Sequence, residues 1–301
     1  MFSVLLWRFC DSVVLLDRLR TYAGFVKLEH TVFSLPLIYA GALLGLDALP
    51  TPRLLALILL AAIGGRVTAM GLNRLIDAQI DRRNPRTAMR ELPRGAMQPW
   101  EGWLVVAIAG IVYFASAAAI APVCLRLAPI PLALFVVYPY LKRFTAMSHL
   151  GLGLAWSMAP LGGWLASVQS LARIWEAGWL WGFSLLWVTG FDIIYATMDE
   201  EFDRQAKLYS LPARLGKKKA LEVAAILHAA AFAALAVIWK DQMAGSKAAL
   251  VWLAAIGALF VWQHMLAEKK PEFAFFQLNG LIGFLVFGFV LAGMLKVPGT
   301  F

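Results

Sequence analysis

The chain has 301 residues, of which 61% are hydrophobic and 15% charged, with a mean hydropathy of +0.73 and a formal charge of +9. A soluble domain carries about 45–50% apolar and about 25% charged residues, so this composition excludes an ordinary soluble enzyme and indicates a membrane protein. The excess positive charge gathers in loops between apolar runs, which argues against a nucleic-acid partner and for a lipid bilayer.

Residues 1–24 do not read as a signal peptide, because Arg8 and Asp11 interrupt any apolar core and no small-residue cleavage site follows. Phe2, Leu5, Leu6, Phe9, Val13 and Leu16 recur at helical spacing, which predicts an amphipathic helix lying on the membrane surface. From residue 25 to 301 the sequence reads as a single helical intramembrane domain. Each span needs roughly 20 apolar residues, and nine candidates follow in order: 25–46, 54–76, 103–121, 123–140, 150–169, 176–197, 220–239, 247–267 and 276–296. The third and fourth abut at Pro122. Backbone polar groups in lipid must be satisfied within the segment, so these spans are helices. The expected fold is an all-α bundle of about nine transmembrane helices with a polar cavity on its cytoplasmic side, and two related halves are compatible with it.

Lys and Arg collect at 82–94, at Lys142–Arg143, at 204–219 and at Lys269–Lys270, together with Arg8, Arg18, Arg20 and Lys27. The opposite loops hold Arg53, Arg173, Lys240 and Lys247. The positive-inside rule then puts the N-terminus and the basic loops in the cytoplasm and the C-terminus on the far side. Cys10 and Cys124 fall on opposite sides of the membrane, which argues against a disulfide between them.

Two acidic helix ends stand out. Asn73, Asp77 and Asp81 are spaced i, i+4, i+8 and share one helical face. Asp192, Asp199 and Asp203, spaced i, i+7, i+11, return to nearly one angle at 3.6 residues per turn. Glu200 and Glu201 point elsewhere. A single carboxylate near a span end is usually a solvated end. Two sets in register repel without a compensating cation, and ionisable groups at membrane depth usually mark a functional path. Oxygen ligands suit Mg²⁺, whereas His30, His149, His228 and His264 are too scattered to make a zinc site. Arg82, Arg83, Arg86, Arg90 and Arg94 follow the first cluster, and Arg204, Lys207 and Arg214 the second. Carboxylates that hold Mg²⁺ beside guanidinium groups that hold oxyanions make a diphosphate site. Lys217–Lys219 read as membrane anchors, and no Gly-rich phosphate loop is present.

The stretch "NRLIDAQID" resembles the NxxxDxxxD motif, and "DIIYATMDEEFD" the DxxYAxxDxxxD motif, of the UbiA-type intramembrane prenyltransferases. Lys27, Arg66, "RTAMRELPRG" at 86–95, "YPYLKRFT" at 138–145, Ser210 and "FFQLNGLIG" at 275–283 extend the resemblance over about residues 20–296. It implies a multi-pass protein of a bacterial-type inner (plasma) membrane. Such an enzyme transfers a polyprenyl group from polyprenyl diphosphate to an aromatic acid acceptor, with Mg²⁺ as cofactor, in ubiquinone or menaquinone biosynthesis. Carried over by position, Asn73, Asp77 and Asp81 would hold one Mg²⁺ and Asp192, Asp199 and Asp203 another, the five aspartates being the catalytic set. Lys27, Arg82, Arg86, Arg90, Tyr138, Lys142 and Tyr195 would grip the diphosphate or orient the substrates. Arg66, in mid-span, has two readings: a fork for the acceptor's carboxylate, or a structural partner for an aspartate. His30 and His149 likewise read as groups that take a proton or bind the acceptor, or as satisfied structural histidines.

The resemblance has local departures. Benzoate-using members often read Arg-Pro-Leu-Pro-Ser-Gly where this chain has Arg90-Glu91-Leu92-Pro93-Arg94-Gly95, and Gln205 and Tyr209 replace frequent lysines. "KLEHTVFSLP" and "NPRTAMRELP" look closer to the subgroup that prenylates 1,4-dihydroxy-6-naphthoate. The acceptor therefore stays open between 4-hydroxybenzoate and that naphthoate. A cation- or proton-coupled transporter is the alternative class, but it more often shows broken helices at the midplane. A phosphatidyl-group transferase lacks its Asp-Gly-x-x-Ala-Arg signature here, and a purely structural role leaves the acids unexplained.

Overall fold

The structure, a computed structural model, describes residues 17–27, 31–46 and 49–294. Every regular element among them is helical. The predicted surface helix over 1–24 lies outside the described residues as far as position 16, and so do Cys10 and His30. Its last residues belong to α1 (residues 17–26), which buries Phe25 and Val26 against Leu92 and Met97. Arg18 and Tyr22 of α1 donate to Glu101 at 3.2 and 2.7 Å. Glu101 in turn accepts from the backbone N–H of Gln98, closing a capping box at the start of α4 (Pro99–Ile120).

The predicted first span, 25–46, is divided. Lys27 takes a left-handed φ of 50° and the helix resumes as α2 (Thr31–Leu44). Next comes α3 (Pro52–Arg83), capped by Thr51 and opened by a proline that forfeits no helical hydrogen bond. At 1.5 Å per residue α3 is about 48 Å long. That exceeds the ~30 Å of the hydrocarbon core, so its last turns have the length to reach the interface. The predicted joint at Pro122 is present: Ala121 is extended, and α5 (Pro122–Leu127) and α6 (Pro129–Leu141) follow, each begun by proline. The chain continues through α7 (Ser148–Val168), α8 (Gly178–Ala196), α9 (Glu200–Gln205), α10 (Leu211–Leu215), α11 (Lys217–Asp241) and α12 (Lys247–Ala267). It closes with α13 (Pro271–Phe273), a π-turn over Ala274–Leu278, and α14 (Asn279–Met294).

Seven stretches among the described residues are long and apolar enough to cross a membrane, against the nine expected. The other two places fall to α2, with 14 residues, and to α7, whose serines, glycines and His149 dilute its hydropathy. Both are packed inside the bundle. Gly163 of α7 sits against the backbone of Ile38 in α2, and Gly64 of α3 against the backbone of Ala109 and Tyr113 in α4. A side chain at either place would hold those helices apart. The largest core cluster joins α2, α8, α11, α12 and α14 through Leu37, Phe183, Trp187, Leu235, Ile256 and Phe289. The chain is thus a multi-pass helical membrane protein.

Candidate active site

The first acidic face forms as the spacing predicts, on the last turns of α3. Asp77 and Asp81 are buried there, and Asn73 donates its amide to Asp77 at 3.3 Å. Each carboxylate carries a cation. Lys142, just past α6, reaches Asp77 Oδ2 at 2.6 Å, and Arg143 lies 3.6 Å from Oδ1 while donating to the carbonyl of Ile76. Arg90 Nη1 contacts both oxygens of Asp81 at 2.8 and 2.7 Å. Arg90 can reach back because the chain turns sharply after α3, with the Thr87 hydroxyl bonded to the Asp81 carbonyl.

The second face departs from the helix expected through 192–203. α8 stops at Ala196, and Thr197, Met198 and Asp199 each donate to the carbonyl three residues back. These tight bonds and the Thr197 hydroxyl on Ile194 use up the last carbonyls of α8. Asp199 therefore becomes the residue before α9 and not the next position on a continuing face. Glu200 and Glu201 pair with Arg204 along α9.

The break allows the two clusters to meet. Arg86 donates through Nε to Asp199 Oδ1 at 2.9 Å, pairs with Asp199 Oδ2 through Nη2, and donates through Nη1 to the Tyr195 hydroxyl at 2.5 Å. Burial opposes its charge, but the bonds to Asp199 and Tyr195 outweigh that and hold its pKa above the ordinary value. Asn84 donates to the same Asp199 oxygen at 2.8 Å while accepting from the Arg86 N–H. Sequence reading overlooked both Asn84 and Arg143. Asn84 lies just outside the first motif, and Arg143 is one of many loop cations.

Asp192, on α8, bonds His149 Nδ1 at 2.7 Å. His149 Nε2 accepts the N–H of Leu211, so the ring proton sits on Nδ1 and is donated to Asp192. With both nitrogens engaged, His149 fits the structural reading given above. Asp203 is held near Ser210, and burial, with the charge of Asp199 adding to it, pushes its pKa up. Lys27 stands at the end of α1, whereas Arg82 is exposed on the last turn of α3 and touches neither cluster.

Deeper in the bundle lies a cavity of about 430 Å³ with walls such as Ile38, Ile58, Phe135, Trp156 and Leu165. Arg66 and Tyr138 also line it, and Arg66 is its one charged wall residue. The Arg66 guanidinium lies 4.9 Å from the centre of the Trp156 ring, and its Nε is buried without a hydrogen bond. No aspartate pairs with it among the described residues, where every ion pair of the two clusters involves another cation.

Charge at the membrane edge above an apolar chamber is the arrangement of an enzyme for amphiphilic substrates, one that handles a charged head and an oily chain. The UbiA prenyltransferase family model matches residues 34–287, and the chain belongs to that family: it is an intramembrane prenyltransferase. It is 24% identical over 276 residues to a 4-hydroxybenzoate octaprenyltransferase of Shewanella woodyi, covering 90% of this chain and 96% of the relative. Identity is 26% over 273 residues to the Vibrio cholerae protein of the same name, covering 89% and 95%. Among solved structures, the apo UbiA homologue of Aeropyrum pernix superposes with a TM-score of 0.81 at 35% identity, covering 89% of this chain and 98% of that one. The Archaeoglobus fulgidus homologue bound to GPP and Mg²⁺ superposes at 0.68 with 19% identity, covering 91% and 99%, and shows the shared fold.

Proposed function

We propose that this prenyltransferase moves a polyprenyl group from polyprenyl diphosphate to the ring of an aromatic acid, a step of quinone biosynthesis, at an inner membrane with its basic loops in the cytoplasm. The observation that carries this reading is Arg66, a half-buried cation in the wall of the apolar cavity, its Nε withdrawn from solvent and with no carboxylate partner among the described residues. A charge at that depth is costly unless paired, and an aromatic acid brings a carboxylate that a guanidinium binds through two parallel hydrogen bonds. The names of the curated relatives favour 4-hydroxybenzoate. A second acceptor, 1,4-dihydroxy-6-naphthoate, is favoured by the spelling around Glu91, where the benzoate pattern has proline.

The donor set has the chemistry of a divalent-cation site, although among the described residues no three of these acids converge on one point while Arg86, Arg90 and Lys142 occupy them. Asn73, Asp77, Asp81, Asp192, Asp199 and Asp203 offer hard oxygens of the kind Mg²⁺ prefers, and Asp77 Oδ1 is buried without a hydrogen-bond donor. When bound, Mg²⁺ supplies Lewis-acid neutralisation of the diphosphate. The chain's own part is orientation. Arg86, Arg90, Lys142 and Lys27, with the hydroxyls of Tyr195 and Tyr138, bind the diphosphate oxygens at the membrane edge. The cavity takes the prenyl chain and excludes water, which would otherwise trap the allylic cation. Arg66 holds the acceptor so that its electron-rich carbon faces the cleaved C–O bond. That carbon then bonds to the prenyl group, and loss of its proton restores the ring.

The test is incubation of the purified protein with a polyprenyl diphosphate and each aromatic acid in turn, followed by mass analysis of the lipid products. A prenylated 4-hydroxybenzoate that forms with Mg²⁺ and disappears in excess EDTA supports the reading. Full turnover in EDTA refutes the cation assignment, and product from acceptors lacking a carboxylate at equal rates refutes the role of Arg66.

A further inference from the structure

The mechanism above leaves unused a polar cluster buried among α8, α12 and α14. Gln263, Asn279 and Trp187 are each at most 8% exposed. Asn279 Oδ1 accepts from the Trp187 indole at 3.1 Å and from Gln263 Nε2 at 2.9 Å. Gln263 Nε2 also donates to the carbonyl of Ala274, and Asn279 Nδ2 to the carbonyl of Phe275, at 2.9 and 2.8 Å. Both carbonyls belong to the π-turn Ala274–Leu278. Such a turn misaligns the carbonyls of an α-helix, and inside a membrane no water replaces the lost bonds. Two side-chain amides from outside the turn make the replacement here.

The turn in its turn carries an aromatic load. Phe275 lies 4.2 Å, centre to centre, from the ring of Tyr195 and 5.4 Å from Phe191, while Phe276 meets Tyr195 edge-on at 5.9 Å. On its other side Tyr195 holds Arg86, through the hydroxyl bond and with the guanidinium 4.7 Å from the ring centre. An ordinary α-turn would rotate Phe275 and Phe276 away from this ring.

We infer that Asn279 and Gln263 are positioning residues of the transfer reaction: they pin the π-turn, the turn packs Phe275 and Phe276 against Tyr195, and Tyr195 thereby presents Arg86 to the donor diphosphate. The inference rests on the donor-site role of Arg86 and Tyr195 proposed above. Its readout is the donor, because Phe275 and Phe276 pack directly on Tyr195, whereas the cavity that holds Arg66 is reached only one contact further on, where Phe191 meets Trp156 edge-on at 6.1 Å.

The experiment measures KM for a polyprenyl diphosphate and for the aromatic acid separately in Asn279→Leu, Phe275→Leu, Tyr195→Phe and Arg86→Ala. Asn279→Leu removes the three hydrogen bonds that Asn279 makes while keeping the number and branching of its side-chain heavy atoms. It should raise the donor KM about fivefold or more and leave the acceptor KM within about twofold, the mark of lost donor binding and not of general damage. Phe275→Leu keeps the polar cluster and removes the ring, so it should reproduce the effect even if Asn279→Leu does not fold. Adding Tyr195→Phe to Phe275→Leu should cost little more than either alone, because residues acting through one contact are not additive. A lowered melting temperature with an unchanged donor KM in both single variants would overturn the inference, as would additive losses in the double variant. If Tyr195→Phe and Arg86→Ala also leave the donor KM unchanged, the donor-site reading falls with it. If those two raise the KM and the other two do not, this inference fails alone.

Discussion

At the residue scale, three of the site's aspartates are held by cations and not by solvent. Asp77 carries Lys142 and Arg143, Asp81 carries Arg90, and Asp199 carries Arg86. A carboxylate that exchanges its basic partner for a divalent cation frees that partner for the diphosphate. Asp199→Ala should therefore remove both a cation ligand and the anchor of Arg86. We expect turnover below about a tenth of wild type, a barrier increase above ~1.4 kcal/mol, measured with the protein still inserted and folded. Glu200→Ala should stay near wild type, because Glu200 pairs with Arg204 on α9 and with neither cluster. Arg66→Lys keeps the charge but loses the planar fork. It should raise the acceptor KM far more than the donor KM in steady-state assays, and equal changes in both would assign Arg66 to packing against Trp156.

At the scale of elements, the loop after α3 is welded to the helix it leaves. Arg74, buried in α3, pairs with Glu91 at 3.2 Å, and both side chains are largely withdrawn from solvent. The same loop supplies Arg86 and Arg90 to the site, so the pair fixes the base from which they reach. Removing one partner of such a pair strands a buried charge, at a cost of about 3 kcal/mol or more. Glu91→Ala should accordingly lower the melting temperature in detergent, and Arg74→Leu combined with Glu91→Leu should recover a good part of the loss. A Glu91→Ala protein as stable as wild type would show that the ion pair does not anchor the loop.

At the scale of the whole molecule, the bundle separates charge from hydrocarbon. Acids and bases close the edge of the bundle, while α2, α3, α6 and α7 wall the apolar cavity below. Ala159 lines that cavity from α7. Ala159→Phe should shorten the usable chamber without touching the charged groups at the membrane edge. In competition between a long and a short prenyl diphosphate, we expect it to shift preference toward the short donor by about tenfold, or ~1.4 kcal/mol of transition-state energy. An unchanged preference would put the prenyl chain outside this cavity.

The amino-acid order alone determined the all-helical membrane class, the proline-marked joint at Pro122, and the face shared by Asn73, Asp77 and Asp81. These depend on local hydropathy and helical period, which a sequence displays directly. Motif spelling also carried the family, because two acidic motifs a fixed distance apart recur with their neighbours. Tertiary structure decided the rest. It ended α8 at Ala196, so that Asp199 meets Arg86 and Asn84 across the bundle, where helical periodicity had continued one face through Asp203. It put α2 and α7 inside the packing despite their short or diluted apolar runs, because helices covered by neighbours need less lipid-facing hydrophobicity. It gave Glu91 a partner in Arg74 and set Arg66 against the Trp156 ring, with no carboxylate partner among the described residues. Which cation answers which carboxylate is a matter of distance between elements far apart in the chain, and no local pattern encodes it.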